Sequence, residues 1–300
     1  MALFWTQKQD VGPAARIFPA MTFDAPGERV VLFGGQLADG TLMSDTWSWD
    51  GGDWTQVSDM GPSPRAGAGM AFDDARERVV LLGGFPATGG SADTWEWDGT
   101  EWTQVADTGP DTRGLNGMAY DAVREQVVLF GGADSAGNLL ADTWVWDGTE
   151  WTQLADTGPE ARYVHAMTFD VAGERVLVFG GLNAPPASAA LGDTWAWNGD
   201  DWKQVADFGP PAAVAASAEC DGHAVLLFGG GVSDFVHNGT HGYLSGTTVP
   251  WPRARPRRWP NRGLAGHGAA QPGRPSGPGL DEHRRAQSRR LSEVVERLSA

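Results

Sequence analysis

A single cysteine, Cys220, stands in 300 residues, which excludes an internal disulfide. Lysine is nearly missing, with only Lys8 and Lys203, and tyrosine occurs three times, at Tyr120, Tyr163 and Tyr243. No apolar run approaches the roughly 18 residues of a membrane span. The opening Met-Ala-Leu-Phe-Trp-Thr-Gln-Lys has no charged region followed by an apolar stretch, so no signal peptide is read there and a cytoplasmic protein is expected. No Ser/His/Asp set, Walker loop, cysteine cluster or histidine pair on a helix can be assembled. The sequence thus predicts no catalytic residues, no metal site and no cofactor. Basic charge is scarce where it would matter for nucleic acid. Residues 1–250 hold 11 Lys+Arg against 34 Asp+Glu, a sign that disfavours a phosphate backbone. The same excess is read as solubility, or as affinity for a basic partner or divalent cations.

What is present is repetition. Trp5, Trp54, Trp102, Trp151 and Trp202 stand 49, 48, 49 and 51 positions apart. Gly-Gly pairs beginning at Gly34, Gly83, Gly131, Gly180 and Gly229 keep the same beat. A period near fifty residues means repeated supersecondary units. The second repeat reads Met70–Asp73, Arg78–Gly84, Asp93–Gly99 and Glu101–Val105. Each piece is short, rich in β-branched or aromatic residues and bounded by turn residues, so each is a strand. Asp50-Gly51, Asp98-Gly99, Asp147-Gly148 and Asn198-Gly199 supply hairpin turns that need positive φ. Gly-Pro at Gly61, Gly109, Gly158 and Gly209 closes the fourth strand.

The tryptophan pairs Trp47/Trp49, Trp95/Trp97, Trp144/Trp146 and Trp195/Trp197 are two apart and share one strand face. A four-stranded sheet cannot bury that face alone, so a neighbouring sheet must cover it. The first strand opens on small residues, Ala20, Gly69, Gly117 and Ala166, suited to the crowded centre of a radial array. The predicted fold is therefore all-β, a propeller of four-stranded blades. Cys220 takes the place of Phe23, Phe72, Tyr120 and Phe169 and is read as a small core residue. Asp45, Asp93, Asp142 and Asp193 recur at the start of each third strand and are read as structural turn residues.

These residues resemble kelch repeats: Gly-Gly ending the second strand, a Trp opening the fourth, and an Arg ahead of the first. The resemblance covers roughly residues 4–240. WD-type repeats have a shorter period and lack Gly-Gly; sialidase-type Asp boxes differ in spacing. Strand counting predicts five blades, with Phe4–Gln7 closing the last beside a worn third strand at Ser233–Gly239. The resemblance extends to copper radical oxidases of the galactose oxidase kind, which need a Tyr joined to Cys, a second Tyr and His ligands. No Tyr-His pair occurs here and Cys220 sits at a core position, so no copper site is expected.

Three segments are predicted: the propeller over 1–245, a Pro/Gly/Arg-rich disordered linker over 246–280, and a short amphipathic helix over 281–300. The last fifty residues reverse the charge, with 11 basic against 4 acidic. They read as a linker with a docking helix, as a basic arm, or as out-of-frame sequence replacing further blades. The 4→1 and 2→3 loops share one face, and the 2→3 loops diverge while the scaffold repeats, which is how binding faces are built. Arg16, Arg65, Arg113 and Arg162 in the 4→1 loops are the predicted grip for a carboxylate or acidic peptide, or else braces of the blade junction. Tyr163 and His165 break the repeat and are the candidates for site-specific contact. Kelch-type domains capture partners through these loops, so the resemblance implies a non-catalytic, monomeric protein that binds a protein or peptide. A carbohydrate-binding or sugar-modifying propeller, and a truncated or frameshifted propeller fragment, are the alternatives.

Overall fold

The computed structural model describes residues 11–183, 190–207, 214–220, 224–232, 235–236 and 240–244. These residues are all-β, without a helix among them. Four sheets are complete. Blade one comprises Ala20–Asp24, Arg29–Phe33, Thr46–Trp49 and Trp54–Ser58; blade two Gly69–Asp73, Arg78–Leu82, Thr94–Trp97 and Trp102–Ala106. Blade three comprises Gly117–Asp121, Gln126–Phe130, Thr143–Trp146 and Trp151–Ala155; blade four Ala166–Asp170, Arg175–Phe179, Thr194–Trp197 and Trp202–Ala206. Each is antiparallel with strands in sequence order. A fifth sheet follows, in which Val214–Cys220 pairs with Ala224–Val232. Its outer position differs from the expected Ser233–Gly239 strand. Thr240–Leu244 pairs along Ala224–Phe228, and Phe235–Val236 pairs only with Gly231–Val232. Thr240, Tyr243 and Leu244 are better strand formers than His237-Asn238-Gly239. The expected closing strand Phe4–Gln7, the linker and the terminal helix lie outside the described residues.

Successive blades pack face to face, one trailing face on the next leading face. Ala20, Val31 and Phe33 of blade one meet Met70, Val79, Leu81, Trp97 and Trp102 of blade two. Ala71, Val80 and Leu82 meet Met118, Val127, Leu129, Trp146 and Trp151. Ala119, Val128, Phe130 and Val145 meet Val176, Val178, Trp197 and Trp202. Both residues of the pairs Trp95/Trp97, Trp144/Trp146 and Trp195/Trp197 therefore lie on a leading face, as their spacing requires. Each junction is stitched by the fourth-strand indole. Trp102, Trp151 and Trp202 donate from Nε1 to the hydroxyls of Thr46, Thr94 and Thr143 in the preceding blade, at 2.9, 2.8 and 2.8 Å. Gly61, Gly109 and Gly158 lie against those same indoles. Gly12 lies against Trp54 in the same way, so the chain enters along the leading face of blade one. Blade four passes to the fifth sheet through Ala166, Phe179 and Leu227, and through Leu177, Ala196, Cys220 and Val225; Cys220 is thus a core residue.

The residue between the paired tryptophans faces the following blade, and its identity tunes that junction. Glu96 accepts from Trp146 Nε1 at 3.0 Å and pairs with Arg76. Ser48 and Val145 stand at the corresponding places against Trp97 and Trp197. Neither supplies such an acceptor, and both indole nitrogens are without a partner among the described residues.

The small residues that open the first strands have a specific use. Ala20 packs with Ala68 and Ala166 with Ala216, but Gly69 faces the Asn116 amide and Gly117 faces His165 Nε2. Where the next blade carries a large polar residue, the preceding strand opens on glycine. A methyl at Gly69 would overlap Asn116 Nδ2 and Met118 Sδ, and overpacking of that kind costs about 1–3 kcal/mol. The pairing predicts that Gly69→Ala destabilises, whereas Gly69→Ala with Asn116→Ala returns close to wild type, because it recreates the Ala20–Ala68 junction beside Met70. Urea titrations of the four proteins of this cycle check it; additive effects, with no coupling, contradict it.

Candidate functional site

Antiparallel blades place the 4→1 and 2→3 loops at one end of the channel and the 1→2 and 3→4 turns at the other. At the loop end each predicted arginine is deeply buried, with 4% or less of its side chain exposed. Arg113 shows the pattern. Its Nη1 and Nη2 donate to Asp142 Oδ1 and Oδ2 at 2.6 and 2.7 Å. Nη1 also donates to the Gly131 carbonyl at 3.2 Å and Nε to the Asp111 carbonyl at 3.0 Å. Arg16, Arg65 and Arg162 repeat this on Asp45, Asp93 and Asp193. Trp47, Trp95, Trp144 and Trp195 donate their indole N–H to the same carboxylates at 2.6–2.7 Å. The once-per-blade Asp is therefore a hub for a guanidinium and an indole. The guanidinium faces are turned inward, and the four arginines brace the loops that any ligand would meet.

Backbone bonds finish the mesh. Gly35, Gly84 and Gly132 donate N–H to the carbonyls of Arg65, Arg113 and Arg162 in the following blade at 2.8–2.9 Å. The N–H groups of those arginines donate back to Met43, Ser91 and Leu140. Two residues on from each arginine, Gly67, Leu115 and Val164 sit at positive φ, as does Phe18. They chain head to tail around the channel mouth: Gly67 N–H to Phe18, Leu115 to Gly67, Val164 to Leu115 and Ala215 to Val164. The loop face is a fixed frame.

Ionisation follows. Burial opposes the charge on Asp93, but bonds from Arg65, Ser91 and Trp95 outweigh it and hold the carboxyl at about 2. The same contest lowers Asp45, Asp142 and Asp193. Burial, with Arg162 nearby, pulls His165 down to about 3. His165 is buried against Phe130 and is neutral, and neither ring nitrogen has a partner among the described residues. Two acid losses are predicted. An unfolded histidine takes up a proton near pH 6.5 that His165 refuses, so stability falls with pH from there. The Asp carboxylates, whose folded values lie below the ordinary 3.8, add a steeper loss below about pH 4. Thermal melts from pH 7.5 to 2.5 check both. His165→Asn, which copies Asn116, should remove the upper stage and leave the lower; an unchanged profile contradicts the assignment.

The loops are interrupted at blade three. Ile17–Gln36, Ala66–Phe85, Gly114–Ala133 and Tyr163–Leu182 are the four equivalent cross-pairs between 4→1 and 2→3 loops. Only the third is small on both sides. Its deficit leaves a crevice of about 400 Å³ between Phe85 of blade two and Tyr163 of blade four, with Leu115 and Leu139 as further walls and Asp134 at the rim. Phe85 leans against Gly114, where an added methyl would meet its ring. Asp134 is half-buried. Bonds from the Asn138 side chain and backbone hold its carboxyl low, so it is an anion at neutral pH. Tyr163, one of the predicted contacts, thus lines the crevice, while His165 lies beneath the surface. Phe85, Leu115 and Leu139 escaped sequence reading, although Gly114 and Ala133 together carried the signal. Comparison with known proteins adds no assignment: no protein-family profile and no curated protein matches this chain.

Proposed function

We propose that the chain is a kelch-type propeller that captures a protein or peptide segment on its loop face, seating an apolar side chain between Phe85 and Tyr163. The observation that carries this reading is the double small pair at Gly114 and Ala133. It opens an aromatic-walled crevice in the loop face. Kelch character rests on the fifty-residue period, the Gly-Gly pairs and the arginine before each first strand. The arginines act here as loop scaffold, and recognition falls to residues that occur once. Asp134 at the rim and the net charge of −16 favour a basic residue beside the apolar anchor.

The reading is tested by panning a random heptapeptide phage library on the immobilised protein. Peptides pairing an aromatic or aliphatic residue with Lys or Arg should be enriched. Phe85→Ala and Tyr163→Ala should each weaken a selected peptide by about 10-fold or more, the scale of an aromatic hot spot, with little change in melting temperature. Enrichment that survives both substitutions would place binding elsewhere. A glycan array gives the competing outcome, since sugar binding lost on Tyr163→Ala would favour a carbohydrate.

A further inference from the structure

The opposite end of the channel carries a second asymmetry, independent of the loop face. The first strands of all four blades repeat a methionine and an aromatic two residues later: Met21/Phe23, Met70/Phe72, Met118/Tyr120 and Met167/Phe169. The fifth sheet has Ala218 and Cys220 in those places and sets Glu219 between them, where the blades have Thr or Ala. The channel here holds a cavity of about 210 Å³. All five first strands line it, together with Ala25, Asp74 and Val171 of the 1→2 turns.

The lining has one kind of chemistry. Among the described residues of the lining, the charged ones are Glu219 and Asp74, both acidic. The four aromatic rings line the same space. Two of the thioethers are already spent: Met118 Sδ lies over Gly69 and Met167 Sδ over Gly117, so the methionines wedge the blades and do not form a sulfur ring for a soft metal. Glu219 Oε1 accepts from the Cys220 N–H at 3.3 Å. Its side chain is exposed, and the protein packed around its carboxyl raises it above the ordinary value. A carboxylate held among aromatic rings in a confined acidic cavity attracts an organic cation through charge and ring quadrupoles together.

We infer that this cavity is a binding site for a small alkylammonium ion, its charge met by Glu219 and its apolar body held by Phe23, Tyr120 and Phe169. The cavity is too small for a peptide chain and admits a guest of a few heavy atoms.

The test uses the full chain labelled with ¹³C at the methionine methyl groups. Choline is titrated, and so is its uncharged isostere 3,3-dimethyl-1-butanol. Methyl resonances of channel methionines should shift saturably with choline, at an affinity at least ~10-fold above the isostere, the ratio for about 1.4 kcal/mol of charge recognition. Glu219→Gln should erase that preference. Ala218→Met, which restores the residue of the other blades, should abolish binding of both compounds while Glu219 remains. No saturable shift with choline, equal affinity for the two compounds, or full preference retained in Glu219→Gln would each overturn the inference. Should Ala218→Met fail to fold, Glu219→Gln and the isostere decide alone. The peptide test above reads the other end of the channel, so failure of one leaves the other standing.

Discussion

Arg113→Ala should lower stability by about 3–5 kcal/mol, the cost of stranding one member of a buried ion pair. The loss is local and specific. Asp142 keeps the indole of Trp144 but loses both guanidinium bonds, and the Gly131 carbonyl loses its Nη1 donor. Against a typical total of about 5–15 kcal/mol, such a change moves a melting temperature by roughly 10 °C in a domain of this size. Removing the partner as well should recover part of it: Arg113→Ala with Asp142→Ala leaves no orphaned charge, and the cycle should show strong coupling. Chemical denaturation of the four proteins measures this. Arg113→Ala at wild-type stability would mean that the guanidinium is free for a ligand after all.

Gly83→Ala should be comparably damaging, for a different reason. Gly83 stands at φ +71°, where a side chain costs about 1–2 kcal/mol. A methyl there would also strike the Arg113 carbonyl oxygen of the next blade. That carbonyl is held by the Gly84 N–H at 2.8 Å, so it cannot retreat without breaking the junction. The combined loss is expected at about 3–5 kcal/mol. Gly99→Ala is the control. Gly99 has a similar positive φ of 100°, but the only atom a methyl would meet is the end of the flexible Arg29 side chain, so it should lose only the backbone penalty. Comparing midpoints of the two variants separates backbone strain from collision, and equal losses would contradict the account.

The repeat made most of the fold legible. Trp spacing predicts that one face of each third strand is buried by a neighbour, and Trp97, Trp146 and Trp197 are fully enclosed there. Gly-Gly after the second strand announces a sharp turn; that the turn grips the next blade's backbone is a long-range fact no single repeat contains. The arginines illustrate the limit most clearly. Their recurrence is consistent with a ligand grip and with a brace, and the distance to the recurrent Asp, 28–31 residues along the chain, cannot be read without the fold. Tyr163 stood out because it breaks the repeat. Its opposite wall, Phe85, lies two blades away in sequence and becomes its neighbour only because Gly114 and Ala133 leave the space between them empty. The fifth sheet was hardest: without the Trp pair, alignment alone set its third strand at Ser233–Gly239, whereas backbone pairing favours Thr240–Leu244.

The central claim is a division of labour: repeated residues hold the frame, and unrepeated ones bind. Titrating a selected peptide into Arg113→Ala and Tyr163→Ala protein, below both melting temperatures and corrected for folded fraction, tests it most directly. Near-native affinity in the destabilised Arg113→Ala protein, with about 10-fold or greater weakening in the fully stable Tyr163→Ala protein, is the predicted result. The reverse, an Arg113→Ala protein that stays folded but no longer binds beside a Tyr163→Ala protein that binds as before, would contradict it.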